Sequence, residues 1–102
     1  MRLKQLLSEE GIEGLDRFGT LLLDHESLLR ALDVLVERNV RALGVEGFHM
    51  RGTDLVPDSG MIVDTSAASS ALQAVETIRD IVIQQHDGRR MYELVCDTTA
   101  SP

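Results

Sequence analysis

The segment from Val40 to Asp64 constrains the fold more than any other part of the chain. It combines short apolar runs with five glycine or proline residues and four acidic residues. Short apolar runs separated by glycine and proline are typical of strands joined by turns. The segment therefore predicts the core of a small sheet that also presents carboxylates.

The apolar residues of this segment change sides partway along the predicted strand. Leu43 and Val45 share one face, whereas Phe48 and Met50 point to the other face if the strand is regular. One extra residue would restore a common face, and glycine is favoured in a bulge. We therefore predict a bulge at Glu46–Gly47.

The clearest helix signal precedes this segment. Asp24 is suited to cap the first turn, and Leu23 and Leu28 are spaced as a hydrophobic staple across the cap. Asn39 suits the left-handed position that follows a helix. Together these residues predict a helix over 25–38.

The remaining pattern predicts an α+β fold. Strand, helix and strand in this order predict that 18–23 and 40–46 are parallel neighbours. We expect a single small mixed sheet of about four to five strands, packed by two main helices plus a short N-terminal helix. Residues 1–97 would form one domain, and 98–102 a flexible tail.

The other predicted elements lie on either side of helix 25–38. The first is a helix over 2–9. After the predicted strand at 40–46 come a hairpin turn at Arg51–Asp54 and strands at Leu55–Val56 and Met61–Val63 around a turn at 58–60. The last two are a helix over about 67–86, capped by Asp64, Thr65 or Ser66, and a strand at Met91–Cys96.

Charge and length limit the classes of partner. The chain has 102 residues and a formal net charge of −7, which disfavours nucleic acid and favours a basic partner. Cys96 is the single cysteine, so a disulfide framework within the chain is excluded. The N-terminus is too polar for a signal peptide, and no apolar run is long enough to span a membrane. These features predict a cytoplasmic protein.

Candidate catalytic residues are few. His25 and His86 fall at helix ends, where a structural role is the simpler interpretation, and Cys96 is expected to be a buried thiol. Asp54, Asp58 and Asp64 do not have the spacing of a calcium loop, and no zinc motif is present. We therefore predict no catalytic centre, no metal and no cofactor.

The carboxylates outside the helices suggest a docking surface. An exposed Phe48 or Met50 would be the apolar anchor, and the acidic residues its charged rim. A solvated rim without a partner is the other interpretation of the same residues. The predicted partner-binding residues are Glu46, Phe48, His49, Met50, Asp54, Asp58 and Asp64.

The order of elements resembles a family of bacterial immunity proteins, the one numbered forty among the polymorphic-toxin immunity families. The similar stretches are Leu23-Asp24, the helix HESLLRALDVLVERN, the strand VRALGVEGF, Pro57 and Asp64. The resemblance implies a cytoplasmic, non-enzymatic protein that binds a cognate toxin domain and blocks it.

Two hypotheses follow. In the first, the chain is an immunity-type inhibitor that docks through its acidic β segment on a toxin with a basic surface. In the second, it is a small ligand-binding or enzymatic domain that uses His49 with Asp54 or Asp64. A homodimer that shares an edge strand near Leu55–Val56 is compatible with either.

Overall fold

The computed structural model describes residues 2–17 and 19–97 and confirms the α+β class. A short N-terminal helix and two main helices are present, as predicted. Phe18 and the predicted tail at 98–102 lie outside the described residues. In chain order the elements are α1 (Leu3–Glu9), β1 (Leu15–Arg17), β2 (Thr20–Leu22), α2 (His25–Glu37), β3 (Ala42–Arg51), β4 (Asp54–Asp64), α3 (Ala71–Gln84) and β5 (Arg90–Cys96).

Helix α2 begins and ends as its sequence predicts. The Asp24 carboxylate accepts a hydrogen bond from the Ser27 amide at 2.8 Å, which satisfies a free donor of the first turn. Leu23 and Leu28 are both buried. Asn39 has a φ of 54°, the left-handed conformation expected after the helix.

Helix α3 begins later than predicted. Its cap is Ser70, whose side chain accepts from the Gln73 amide at 3.0 Å. The predicted caps are engaged elsewhere: Asp64 accepts from the Ser66 amide, and the buried Thr65 hydroxyl donates to the Ala42 carbonyl at 2.7 Å. Thr65 therefore ties the loop to β3, and the helix starts only beyond that loop.

The strands form two antiparallel sheets, so the single mixed sheet is wrong. One sheet is the β1–β2 hairpin, and the other has the order β4–β3–β5. The backbone of Leu23 exchanges two hydrogen bonds of 2.8 Å with Tyr92 of β5. The segment after β2 therefore runs parallel to β3 but is separated from it by β5, which the sequence order alone does not reveal.

The predicted bulge lies at the expected place but on the other strand. Glu46 pairs with Ile62 and Gly47 pairs with Asp58, so residues 59–61 are additional on β4. Strand β3 stays regular against β5 at the same place. The two predicted short strands are therefore one long strand, β4, whose bulge is the predicted turn at 58–60. The hairpin turn at Gly52 is confirmed, and its positive φ of 63° explains the glycine.

Both main helices pack on one face of the three-stranded sheet. The core includes Leu32 and Leu35 of α2, and Val75, Ile78 and Val82 of α3. The sheet contributes Val45, Met61, Tyr92 and Leu94 to the same core. No helix in the described part of the chain is long and apolar enough to cross a membrane.

Candidate functional site

The register of the sheet divides the predicted binding residues between two regions. Val45 points into the core, so its neighbour Glu46 points away from the helices, as do Phe48 and Met50. His49 has the opposite parity and lies on the helix side. We call the surface that points away from the helices the outer face. By register it consists of Glu46, Phe48, Met50, Leu55, Pro57, Ile62, Asp64, Met91, Glu93 and Val95.

Phe48 is not the exposed anchor that the sequence predicts. Only 9% of its surface is accessible, and Met50 is half-buried. Phe48 nevertheless lies outside the main core cluster, because β3 carries no bulge at Gly47 that would turn it inward. The exposed large aliphatic side chains among the described residues of the outer face are Ile62 at 62% and Val95 at 43%. Their exposure is not predictable from the sequence, since both belong to apolar runs typical of buried strands.

Two glutamates stand directly opposite each other on the outer face. Glu46 of β3 pairs with Glu93 of β5, and paired residues of antiparallel strands project on the same side. Burial, followed by repulsion from Glu46, raises the pKa of Glu93. Neither glutamate side chain forms an ion pair or hydrogen bond with the described residues. Like charges so placed destabilise a sheet, and Glu93 was missed because strand pairing is not readable from sequence.

Asp64 adds a third carboxylate to the outer face. It pairs with Gly44, one outward-facing position along β3 from Glu46. Hydrogen bonds from the Ser66 hydroxyl and amide lower the pKa of Asp64, so it remains ionised at neutral pH. The carboxylates of Glu46, Glu93 and Asp64 therefore lie on the same surface as Ile62 and Val95.

The second region, which we call the polar end, consists of His49, Asp58, Asp87 and Arg90. His49 Nε2 lies 3.1 Å from Asp58 Oδ2, and Arg90 Nε donates to the same oxygen at 2.9 Å. The other oxygen, Asp58 Oδ1, accepts from the Gly60 amide at 2.9 Å. These bonds, with that of Gly60 first, lower the pKa of Asp58. Asp58 is therefore an ionised carboxylate that holds the cluster together.

Arg90 is the buried cation of the polar end, with 10% of its side chain exposed. Its Nη1 donates to the Gln85 carbonyl at the end of α3 at 2.9 Å. Burial opposes the charge, but interactions with the Tyr92 and Asp58 side chains outweigh it and raise the pKa of Arg90. The arginine passes over Gly47, where a Cβ atom would lie 2.7 Å from Arg90 Cδ. A residue larger than glycine at position 47 would therefore clash with the Arg90 side chain.

The carboxylate partners of His49 differ from those predicted. Neither Asp54 nor Asp64 forms an ion pair or hydrogen bond with it. Asp54 is exposed at the β3–β4 turn. The partners are Asp58 and Asp87, whose Oδ2 lies 3.8 Å from His49 Nε2. Asp87 is not among the predicted binding residues, and nothing in its spacing to His49 indicates the contact.

The other two histidines meet between the helices. The rings of His25 and His86 are packed edge to face, with centroids 4.1 Å apart. Burial, and then the proximity of His86, lowers the pKa of His25, whose Nδ1 is buried without a hydrogen-bond partner among the described residues. The start of α2 and the end of α3 thus come together, which separate analysis of the two helices does not show.

The polar end lacks the parts of a nucleophilic site. Burial raises the pKa of the Cys96 thiol to about 12, so it is protonated at neutral pH. No hydroxyl or thiol of the described residues is hydrogen-bonded to His49. Within the same residues, no group of three or more histidine, cysteine or acidic side chains could hold a metal ion.

Comparison of the chain with known protein families, with curated proteins and with solved structures finds no match. Two arrangements therefore carry the functional inference. The outer face presents Glu46 and Glu93, which have no cation among the described residues, beside exposed aliphatic side chains. The polar end presents a network of paired charges.

Proposed function

We propose that the chain is a non-enzymatic, immunity-type protein that neutralises a bacterial toxin domain by docking its outer face on a basic surface. One observation carries the proposal: Glu46 and Glu93 face each other without a cation among the described residues, beside the exposed Ile62 and Val95. The resemblance to the immunity family supports the class of partner.

The two glutamates favour a cationic ligand. A partner's arginine placed between them would donate hydrogen bonds to both carboxylates and offset their repulsion, and charge-assisted hydrogen bonds of this kind are strong and geometrically specific. The unfavourable pairing in the free protein would become favourable in the complex. A structural role for the pair would require a cation from within the chain, and the described residues supply none.

The aliphatic side chains supply the second component of an interface. Ile62 of β4 is the register partner of Glu46. Val95 is the next outward-facing residue of β5 after Glu93. An apolar contact surrounded by charges gives both affinity and orientation. The glutamates are therefore flanked by apolar surface whose burial against a partner would stabilise the complex.

The charge of the chain suits this role. A net charge of −7 accelerates encounter with a basic partner, and toxins that act on anionic substrates present basic sites. An inhibitor that occludes such a site needs no catalytic residue of its own. The proposal places the protein in the cytoplasm, where a toxin would otherwise act.

A protection assay tests the proposal. The chain would be co-expressed with the toxin domain encoded beside its gene, and growth and complex formation would be measured. We expect wild-type protein to restore growth, and Glu46→Lys with Glu93→Lys to lose protection and weaken binding at least tenfold, as expected for a desolvated charge. The matched control is Glu76→Lys with Asp80→Lys, which makes the same charge change on the exposed side of α3.

Three results would contradict this function. They are a gene neighbourhood without a toxin domain, growth that the wild-type protein does not restore, and a control variant that loses protection as fully as the outer-face variant. The predicted homodimer through Leu55–Val56 is tested separately by sedimentation of the free protein.

A further inference from the structure

A depression of about 570 Å³ lies beside the polar end, along the β3–β4 hairpin. Its charged or titratable lining residues are His49, Arg51, Asp58 and Arg89, and Val56, which lies on the same side of the sheet as His49, gives it an apolar part. Its volume is in the range of small-molecule sites. It is separate from the open part of the outer face around Glu46.

The lining is basic although the chain is acidic. Arg51 and Arg89 are exposed, and neither side chain forms an ion pair or hydrogen bond with the described residues. Asp58 is the acidic residue of the lining, and Arg90 already neutralises it through Nε and Nη2, each 2.9 Å from Oδ2. Two guanidinium groups therefore remain available to a ligand.

No carboxylate of the described residues near the depression binds the guanidinium group of Arg51 or Arg89. Asp54 is the register partner of Arg51 across the hairpin, but the two side chains form no ion pair. Asp87 Oδ1 accepts from the backbone amide of Arg89 at 2.9 Å, and its Oδ2 faces His49. Both aspartates make the electrostatic potential of the depression less positive, yet neither binds a guanidinium group of Arg51 or Arg89.

His49 contributes a directed polar group. Its Nε2 faces Asp58 and Asp87, so this nitrogen carries a hydrogen and donates it to a carboxylate. Nδ1 forms no hydrogen bond with the described residues. Asp58 thus fixes the ring and leaves Nδ1 for a ligand, as an acceptor in the neutral ring and as a donor in the protonated ring.

We propose that this depression binds a small ligand carrying a phosphate-type oxyanion, held by the guanidinium groups of Arg51 and Arg89 and by His49 Nδ1. A guanidinium fork matches two phosphate oxygens. A protonated phosphate oxygen can donate to Nδ1 of the neutral ring, and an unprotonated oxygen can accept from Nδ1 of the protonated ring. The apolar side chain of Val56 would contact the rest of the ligand. The site goes beyond the toxin-docking role and does not depend on it.

Titration with inorganic phosphate and pyrophosphate at constant ionic strength tests the site. Binding would be followed by the imidazole resonances of His49 and by calorimetry. We expect saturable binding of pyrophosphate that shifts His49 and leaves the resonances of the exposed Glu46 unchanged. Arg51→Gln with Arg89→Gln should weaken it at least tenfold, and Asp54→Asn should tighten it, because a nearby negative charge is removed.

The matched control is Arg2→Gln with Arg30→Gln, which removes the same charge from two exposed arginines whose side chains form no ion pair or hydrogen bond with the described residues. It should change binding less than twofold. The proposal is overturned if pyrophosphate leaves His49 unshifted, if both double variants weaken binding equally, or if malonate binds as tightly as pyrophosphate. Neither the Arg51 nor the Arg89 side chain forms an ion pair or hydrogen bond with the described residues, so circular dichroism should show both variants folded.

Discussion

The outer face and the polar end use acidic residues in opposite ways. At the polar end, Asp58 is ionised and accepts bonds from Arg90, Gly60 and His49. On the outer face, Glu46 and Glu93 are placed against each other without a described cation. A carboxylate whose bonds are satisfied within the chain supports the fold. A carboxylate pair that opposes the fold is better explained by a ligand from outside.

The largest expected loss of stability comes from a substitution at Gly47, which lies against the Arg90 side chain of the polar end. Gly47→Ala places a methyl group 2.7 Å from Arg90 Cδ and 2.8 Å from Met61 Cβ. We expect the free energy of unfolding to fall by about 2–3 kcal/mol, as for other overpacked cores. Urea denaturation measures it. Gly88→Ala, where the new methyl group meets nothing within 4 Å, is the control, and an equal loss there would remove the explanation.

A smaller loss is expected when the charge that holds the polar end is removed. Asp58→Asn leaves Arg90 buried beside a neutral amide, and the melting temperature should fall by about 5 °C. Because the pKa of Asp58 is lowered, its contribution is complete above the ordinary value of 3.8 and is lost as the pH falls through the lowered pKa. The variant should therefore lose less stability on acidification than the wild type. Asp54→Asn, at an exposed position, should match the wild type.

The outer face should respond with the opposite sign. Glu93→Gln removes a like-charge contact, so we expect a gain of about 0.5 kcal/mol at pH 7. Since the pKa of Glu93 is raised, its penalty is absent below the ordinary value of 4.5 and develops as the pH rises through the raised pKa. The gain should therefore disappear in acid. A double-mutant cycle with Glu46→Gln measures the coupling, and an attractive coupling energy would contradict the interpretation.

The smallest change in stability is expected at the aliphatic part of the outer face. Ile62 is 62% exposed, so Ile62→Ser should alter the free energy of unfolding by less than about 0.5 kcal/mol. The same variant should weaken binding of the toxin domain. Unchanged binding kinetics would separate Ile62 from the docking surface and leave only the carboxylates in it.

The sequence predicted best what depends on neighbouring residues. The cap at Asp24, the left-handed Asn39 and the turn at Gly52 each follow from one or two adjacent residues, and all three are present. The prediction of where α3 starts was wrong because the Thr65 hydroxyl donates to the carbonyl of Ala42, which is distant in sequence. A local pattern cannot show that a good capping residue is already occupied by such a partner.

The candidate sites depended on long-range pairing and were predicted only in part. Glu46 and Asp64 lie on the outer face as members of the expected acidic set, but Phe48 is buried. Glu93 is placed opposite Glu46 by the antiparallel pairing of β5, and Asp87 reaches His49 through the loop after α3. Sequence spacing identified the types of residue, and strand order determined which of them meet.

The bridge between Leu23 and Tyr92 has a consequence for synthesis. Strand β5 lies between the segment after β2 and strand β3, yet residues 90–96 are made after both of them. On the ribosome, β3 and β4 can form a hairpin and α2 can form early, while Leu23 and one edge of β3 remain without their partner. The exposed edge would be a template for pairing with other chains until β5 is released. The nascent chain therefore completes its sheet in one late step, and shielding of that edge by a chaperone would be most useful just before it.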